Sequence, residues 1–137
     1  MIQTNSDTAQ NVLEGRKILV VDDEPDQLAY IAMILEDNGA TVIRAEDGDQ
    51  ALDLARKENP HLMTLDLAMP GKSGVEVYIA LREDPQLKQL PVCIITGRPE
   101  MRKLVYERAT TPAPEGYLTK PVSEKKLLVN IRKILEL

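Results

Sequence analysis

Short apolar runs alternate with longer amphipathic segments along the chain. The runs "KILVV" (17–21) and "PVCII" (91–95) are continuous and rich in β-branched residues, which is typical of strands buried on both faces. Three further runs, "TVIRA" (41–45), "HLMTL" (61–65) and "GYLTK" (116–120), have the length and composition of strands. The pattern therefore predicts five strands.

An amphipathic helix is predicted after each strand. In "DQLAYIAMILEDNG", the residues Leu28, Ile31 and Leu35 recur at the spacing of one helical face. Helical segments are also predicted in "DGDQALDLARKENP", in "GVEVYIALRED" and in "EMRKLVYERA", where Pro99 is a favourable first residue. Ser123 is expected to cap the last helix.

Strands that alternate with helices in this way predict an α/β fold. The expected architecture is a doubly wound, five-stranded parallel sheet with five helices distributed over its two sides and right-handed crossovers. The number of units fits the flavodoxin-like strand order 2-1-3-4-5. A length of 137 residues, of which 43% are hydrophobic, suits one domain with a substantial core.

Charge and composition narrow the possible functions. A net charge of -5 argues against a nonspecific nucleic-acid or membrane-surface binder, and no apolar run approaches the ~20 residues of a membrane span. The one cysteine, Cys93, excludes an intrachain disulfide, which suits a cytoplasmic location. Residues 1–15 lack the features of a signal peptide, so we expect a flexible N-terminal arm before a domain at 16–137.

Polar residues directly follow the predicted strands. In a parallel sheet, functional sites lie at the carboxyl ends of the strands, which is where these residues stand. They are Asp22 and Asp23 after the first strand, Asp66 after the third, Thr96 after the fourth and Lys120 after the fifth. An aspartate in such a place is commonly a helix cap or a turn residue, and Glu24 or Asp26 is a candidate for that role. The coincidence of all these groups at one edge favours a functional cluster.

The cluster has the chemistry of phosphoryl transfer. Crowded carboxylates repel one another, and Mg²⁺ relieves that repulsion through oxygen ligands. An ammonium and a hydroxyl are suited to contact phosphoryl oxygens, and a carboxylate is a competent nucleophile that forms an aspartyl phosphate. We therefore interpret Asp66 as a nucleophile assisted by Thr96 and Lys120.

Four motifs, "ILVVDDEPD", "LDLAMPGKSG", "IITG" and "YLTKP", occur in this order over nearly the whole chain. Together they resemble the receiver domain of two-component response regulators, of the single-domain type similar to the chemotaxis regulator. The resemblance implies that Asp66 is the phosphoacceptor. It also implies that Asp22, Asp23, Asp66 and the backbone carbonyl of Ala68 form a site for Mg²⁺ or Mn²⁺.

The same resemblance implies a switch. Thr96 would follow the phosphoryl group, Tyr117 would turn inward on activation, Lys120 would contact the phosphoryl group, and the bond before Pro121 would be cis. The implied partners are a sensor histidine kinase or phosphotransfer protein, and a downstream protein or second copy that binds the face of helix 4, strand 5 and helix 5. Neither nucleic acid nor membrane is expected as a partner.

Alternatives remain at this point. Because the chain ends with the fifth predicted helix, no output domain is expected, but a receiver excised from a hybrid kinase or multidomain regulator is not distinguished from a stand-alone module. A phosphatase that works through an aspartyl phosphate would place a second Asp where Ala68 stands, so a signalling domain is favoured over a turnover enzyme. A flavodoxin-like carrier is disfavoured by the acidic "DDEPD".

The connection before the fifth strand departs from the family pattern. It contains Pro112 and Pro114, which are predicted to end the fourth helix near Ala109. The local shape of the switching face is therefore expected to be particular to this chain.

Overall fold

The computed structural model describes residues 11–108 and 113–137. The strands are β1 (Lys17–Val21), β2 (Thr41–Ala45), β3 (Leu62–Leu65), β4 (Val92–Thr96) and β5 (Gly116–Thr119). The α-helices within these ranges are α1 (Pro25–Asp37), α2 (Gly48–Glu58), α3 (Gly74–Glu83), α4 (Arg102–Arg108) and α5 (Glu124–Ile134). None of these helices is both long and apolar enough to cross a bilayer.

The strands form one parallel sheet in the order β2-β1-β3-β4-β5, which confirms the predicted fold class. Val21 is in register with Leu65, and Ile94 is in register with both Leu65 and Tyr117. The residues that follow these positions therefore leave the sheet side by side, at its carboxyl edge.

Two apolar clusters cover the two faces of the sheet. Alternate strand residues such as Leu19, Leu65 and Ile94 pack on one face with α2 and α3. Their neighbours, including Ile18 and Val20, pack on the other face with α1 and α5. Because successive side chains of a strand point to opposite faces, strands buried on both sides are apolar at nearly every position.

Serine hydroxyls cap two of the helices, and the cap at Ser123 confirms the prediction. The Ser123 hydroxyl accepts a hydrogen bond from the Lys126 amide at 3.1 Å and so caps α5. Ser73 and Glu76 form a reciprocal capping box that starts α3 immediately after the loop that follows β3. These caps satisfy amide groups that would otherwise lack partners, and they fix where each helix begins.

The N-terminal segment differs from the prediction of a flexible arm over 1–15. Residues 1–10 lie outside the described residues, but Leu13 is fully buried beside α1, and its amide donates to the Asn38 carbonyl at 2.8 Å. The buried Leu13 side chain therefore ties residues 11–15 to the core, because burial of one apolar side chain in a polar segment is favourable.

The fourth helix begins with a 3-10 turn at Pro99–Met101 and becomes α-helical at Arg102. Its predicted end near Ala109, and Pro112, lie outside the described residues. After that gap, Glu115 accepts hydrogen bonds from the buried Arg82 at 3.1 Å and from the Val92 amide at 2.7 Å. This arrangement ties the start of β5 to α3 and β4.

Candidate functional site

Three carboxylates meet at the carboxyl edge of the sheet. Asp22 follows β1 and Asp66 follows β3, and they are only 1% and 3% exposed. Together with Asp23 they offer three oxygen atoms that all lie within 4.8 Å of one another. The parallel register of β1 and β3 brings the residues together, as their positions after the strands predicted.

Lys120 reaches into this carboxylate cluster from the end of β5. Its Nζ lies 2.7 Å from Asp22 Oδ2, 3.3 Å from Asp66 Oδ2 and 3.3 Å from Glu24 Oε1. Burial alone would lower the pKa of Lys120, but hydrogen bonds and attraction from Asp22 and Asp66 outweigh it and raise that pKa. The Lys120 ammonium is therefore held in its charged form. The peptide bond from Lys120 to Pro121 is cis, as the resemblance implied.

Asp66 is the central carboxylate of the site. Its amide donates to the Val21 carbonyl, and its Oδ1 accepts from the Ala68 amide at 3.2 Å. Burial raises the pKa of Asp66 because the charged form loses water, and Lys120 offsets part of this increase. The result is a rigidly placed carboxylate beside one cation.

The donor set fits a divalent metal ion. Asp22 is already engaged, since its Oδ1 accepts from the Glu24 amide at 3.0 Å and its Oδ2 from Lys120. Asp23 Oδ1, in contrast, is buried and has no hydrogen-bond partner. A buried carboxylate oxygen without a donor is costly, and a hard cation would satisfy it. The role of the Ala68 carbonyl stays a prediction.

Thr96 is the last residue of β4 rather than the residue after it. It is buried, its Oγ1 accepts from the Arg98 amide at 3.0 Å, and its carbonyl accepts from the Lys120 amide at 2.9 Å. Thr96 and Lys120 are thus linked through the backbone at the same edge of the sheet. The Arg98 side chain pairs with Glu100 at 2.6 Å.

Tyr117 lies on β5 beneath α4. Its hydroxyl is buried with no hydrogen-bond partner, and burial with the neighbouring Tyr106 raises the pKa of Tyr117 to about 12. The guanidinium of Arg102 covers the ring. The predicted switch residue is therefore partly buried, and its ring packs against α4.

Two residues at the site were not singled out as functional from the sequence. A Cβ on Gly74 would lie 2.0 Å from the Asp66 carbonyl, so only glycine allows α3 to approach the loop after β3 so closely. The sequence predicts Glu24 as a candidate cap, yet its side chain makes no capping bond and contacts Lys120 instead. Its place directly after Asp23 is the only sequence signal for this contact.

The comparison with protein families agrees with this geometry. Residues 18–132 match the response regulator receiver domain. The chain belongs to this family. Receiver domains are signalling domains of two-component systems rather than classical enzymes, and they interact with histidine kinases and with downstream targets.

Individual response regulators are identical to this chain at about a third of the aligned positions. The protein PilH of Pseudomonas aeruginosa is 34% identical, over 87% of this chain and 97% of PilH. The polar-differentiation response regulator DivK of Brucella ovis is 31% identical, over 88% of this chain and 96% of DivK. The chain covers only 52% of the phosphate regulon transcriptional regulatory protein PhoB of Escherichia coli, to which it is 33% identical.

Solved structures extend the comparison to three dimensions. The chemotaxis protein CheY4 of Vibrio cholerae is 30% identical with a TM-score of 0.76, over 87% of this chain and 98% of CheY4. A sensor protein from Polaromonas superimposes with a TM-score of 0.81, over 89% of this chain and 97% of that one. Its 24% identity supports the fold alone.

Proposed function

We propose that this receiver accepts a phosphoryl group on Asp66 from the phosphohistidine of a sensor histidine kinase or phosphotransfer protein. The observation that carries the proposal is the position of Lys120 Nζ, 3.3 Å from Asp66 Oδ2 at the rigid end of β3. An ammonium at this place neutralises charge on the transferred group, which is most of what catalysis of phosphoryl transfer requires.

The transfer is a substitution at phosphorus. A carboxylate oxygen of Asp66 forms the new P–O bond while the P–N bond to the donor imidazole breaks. The electron pair of the broken bond stays on the imidazole nitrogen, which takes a proton from solvent. The product is an aspartyl phosphate, and Thr96, at the same sheet edge, would donate a hydrogen bond from its hydroxyl to a phosphoryl oxygen.

The proposed cofactor is Mg²⁺, with Mn²⁺ as a substitute. Asp23 and Asp66 would bind it directly with the Ala68 carbonyl, and Asp22 would complete the acidic set. The support is the unpartnered Asp23 oxygen within the carboxylate cluster. The ion supplies positive charge that offsets both the carboxylates and the phosphoryl group.

The output would be a change in protein binding. We propose that phosphorylation alters the face formed by α4, β5 and α5 through Thr96 and Tyr117, and that a downstream protein or a second copy of the chain binds there. Met101 and Lys126 are further candidates for this face, whereas Val105, also expected there, is buried in the apolar core. The module is proposed to work in the cytoplasm, whether alone or as the receiver of a larger hybrid kinase or regulator.

Intact mass after incubation with a small acyl phosphate and Mg²⁺ tests the assignment. We expect a gain of one phosphoryl group in the wild type and in Asp53→Asn, a matched change on the exposed face of α2. Asp66→Asn is expected to show no gain. Full labelling of Asp66→Asn would refute the proposal.

A second assay, which measures phosphate release from an aryl phosphate, distinguishes a signalling domain from a phosphatase. Ala68 has no side chain that could protonate a leaving group, so we propose that the chain assists its own phosphorylation and dephosphorylation without turning over phosphate esters. Steady release of phosphate from an aryl phosphate would favour the phosphatase instead.

A further inference from the structure

We propose that Glu24 is a positioning residue that holds Lys120 and thereby restrains binding of the phosphoryl group at Asp66. This inference rests on the proposed function, since it concerns how Lys120 becomes available to a phosphoryl oxygen. Its basis is the contact between Glu24 Oε1 and Lys120 Nζ at 3.3 Å.

The backbone of Glu24 and its side chain serve different purposes. Glu24 is the N-cap residue of α1, but its side chain accepts no hydrogen bond from the helix. Its amide donates to Asp22 Oδ1 at 3.0 Å, which fixes the residue against the carboxylate cluster. The side chain is thereby free of a local structural role and is directed to Lys120.

Lys120 has no donor left for a new ligand. An ammonium carries three N–H groups, and the three partners of Lys120 Nζ are carboxylates. While Asp66 is still a free carboxylate, an approaching phosphoryl oxygen can therefore contact Lys120 only if one of these carboxylates moves away. All three N–H groups of Lys120 are therefore in use before phosphorylation, and one of them has to be released.

Glu24 is the partner that gives way at the lowest cost. The side chains of Asp22 and Asp66 are 1% and 4% exposed, whereas that of Glu24 is 63% exposed and regains water when it is released. An exposed ion pair contributes little net free energy, so its exchange for a phosphoryl oxygen is feasible. Glu24 accordingly accepts the hydrogen bond from Lys120 that a phosphoryl oxygen would take over.

Charge acts in the same direction as the contact. Within the described residues, Lys120 is the one ammonium in contact with Asp22, Asp66 and Glu24. An anionic phosphodonor is repelled by the surplus of carboxylates, and Glu24 adds to it at the open side of the site. Removal of the Glu24 charge should therefore tighten phosphoryl binding.

The test compares the wild type with Glu24→Gln, Glu24→Asp and the control Asp26→Asn. Asp26 lies two residues further along, exposed in the first turn of α1. Asp26→Asn therefore removes the same charge as Glu24→Gln, at a residue that does not contact Lys120. The first measurement is the apparent Kd of beryllium trifluoride, a non-covalent phosphoryl mimic, at saturating Mg²⁺. We expect about two- to fivefold tighter binding for Glu24→Gln and little change for Asp26→Asn.

The conservative variant separates contact from charge. Glu24→Asp keeps the charge but shortens the side chain by one methylene, so it should lose the contact and tighten binding of the mimic, though less than Glu24→Gln, which weakens the contact and also removes the charge. If Glu24→Asp instead behaves as the wild type, charge alone is responsible and the positioning role is refuted. The second measurement is the ¹⁵N shift of the Lys120 ammonium without metal, which should move in Glu24→Gln and stay constant in Asp26→Asn.

The outcomes also separate this inference from the proposed function. If the wild type is phosphorylated on Asp66 but Glu24→Gln binds the mimic no more tightly, the inference is wrong and the proposed function stands. If the wild type is not labelled on Asp66, the proposed function fails, and the restraint by Glu24 fails with it.

Discussion

The guanidinium carbon of Arg102 lies 4.2 Å from the centre of the Tyr117 ring, so that the first turn of α4 covers an aromatic side chain of β5. The ring of Tyr106, one turn further along α4, is 6.0 Å from the same ring at an interplanar angle of 33°. A cation above an aromatic face is attracted by the ring electrons, and a second ring adds a further contact. These two contacts therefore hold the Tyr117 ring against α4.

We predict that Arg102→Ala loosens β5 in the unphosphorylated protein. The lost cation–π contact is worth about 0.5–1 kcal/mol at an exposed site, so amide exchange at Gly116–Thr119 should quicken severalfold. Lys103→Ala, a neighbouring change on the exposed side of α4, is the control. Unchanged exchange in Arg102→Ala would show that the stacking does not hold Tyr117.

The proposed switch has its own test in the wild type. Backbone NMR shifts with and without beryllium trifluoride should change not only around Asp66 but also in α4 and β5, because Thr96 and Lys120 are linked through their backbones. Shift changes confined to the surroundings of Asp66 would mean that phosphorylation does not reach this face.

We predict that Mg²⁺ stabilises the protein even without a phosphodonor. An ion that binds only the folded state adds about 2.7 kcal/mol at a hundredfold excess over its Kd, so the melting temperature should rise. Asp23→Asn should lose most of this rise in melting temperature, because it replaces the carboxylate that carries the unpartnered buried oxygen, while Asp53→Asn retains the rise.

A chelator should also stop labelling of Asp66. Equal labelling with and without chelator would contradict the metal site.

We predict that the lifetime of the aspartyl phosphate depends on position 68. Ala68 has no polar side chain to orient an attacking water, so Ala68→Asn should accelerate loss of the phosphoryl group by about tenfold. Arg98→Ala should have a smaller effect, since the Arg98 side chain is paired with Glu100. The loss of the phosphorylated mass over time measures the effect of each substitution. An unchanged rate of loss in Ala68→Asn would refute the prediction that position 68 sets the lifetime.

We predict that Thr64→Val stabilises the fold. Thr64 is 1% exposed in the middle of β3, and its hydroxyl has no hydrogen-bond partner. Replacing an unsatisfied buried hydroxyl with a methyl group should add about 1 kcal/mol to the free energy of unfolding, measured by urea denaturation. Thr119→Val, at an exposed position of β5, should change it little. A loss of stability in Thr64→Val would mean that the hydroxyl is satisfied in solution.

The sequence by itself determined the fold class and the place of the carboxylate cluster. Strands buried on both faces are apolar at nearly every position, and helices between them force parallel pairing, so both signals are local and strong. Once the strand order is given, the residues after each strand must share one edge. This is why the positions of Asp22, Asp66 and Lys120 could be predicted together.

Only the tertiary structure decided which side chains satisfy one another. Leu13 is buried because a space beside α1 accepts it, Glu24 contacts Lys120 across most of the chain length, and Tyr117 is covered by Arg102. None of these contacts leaves a periodic pattern, since each depends on the distance between elements that are remote in sequence. Periodicity reports which face of an element is buried, whereas packing between elements selects the partner.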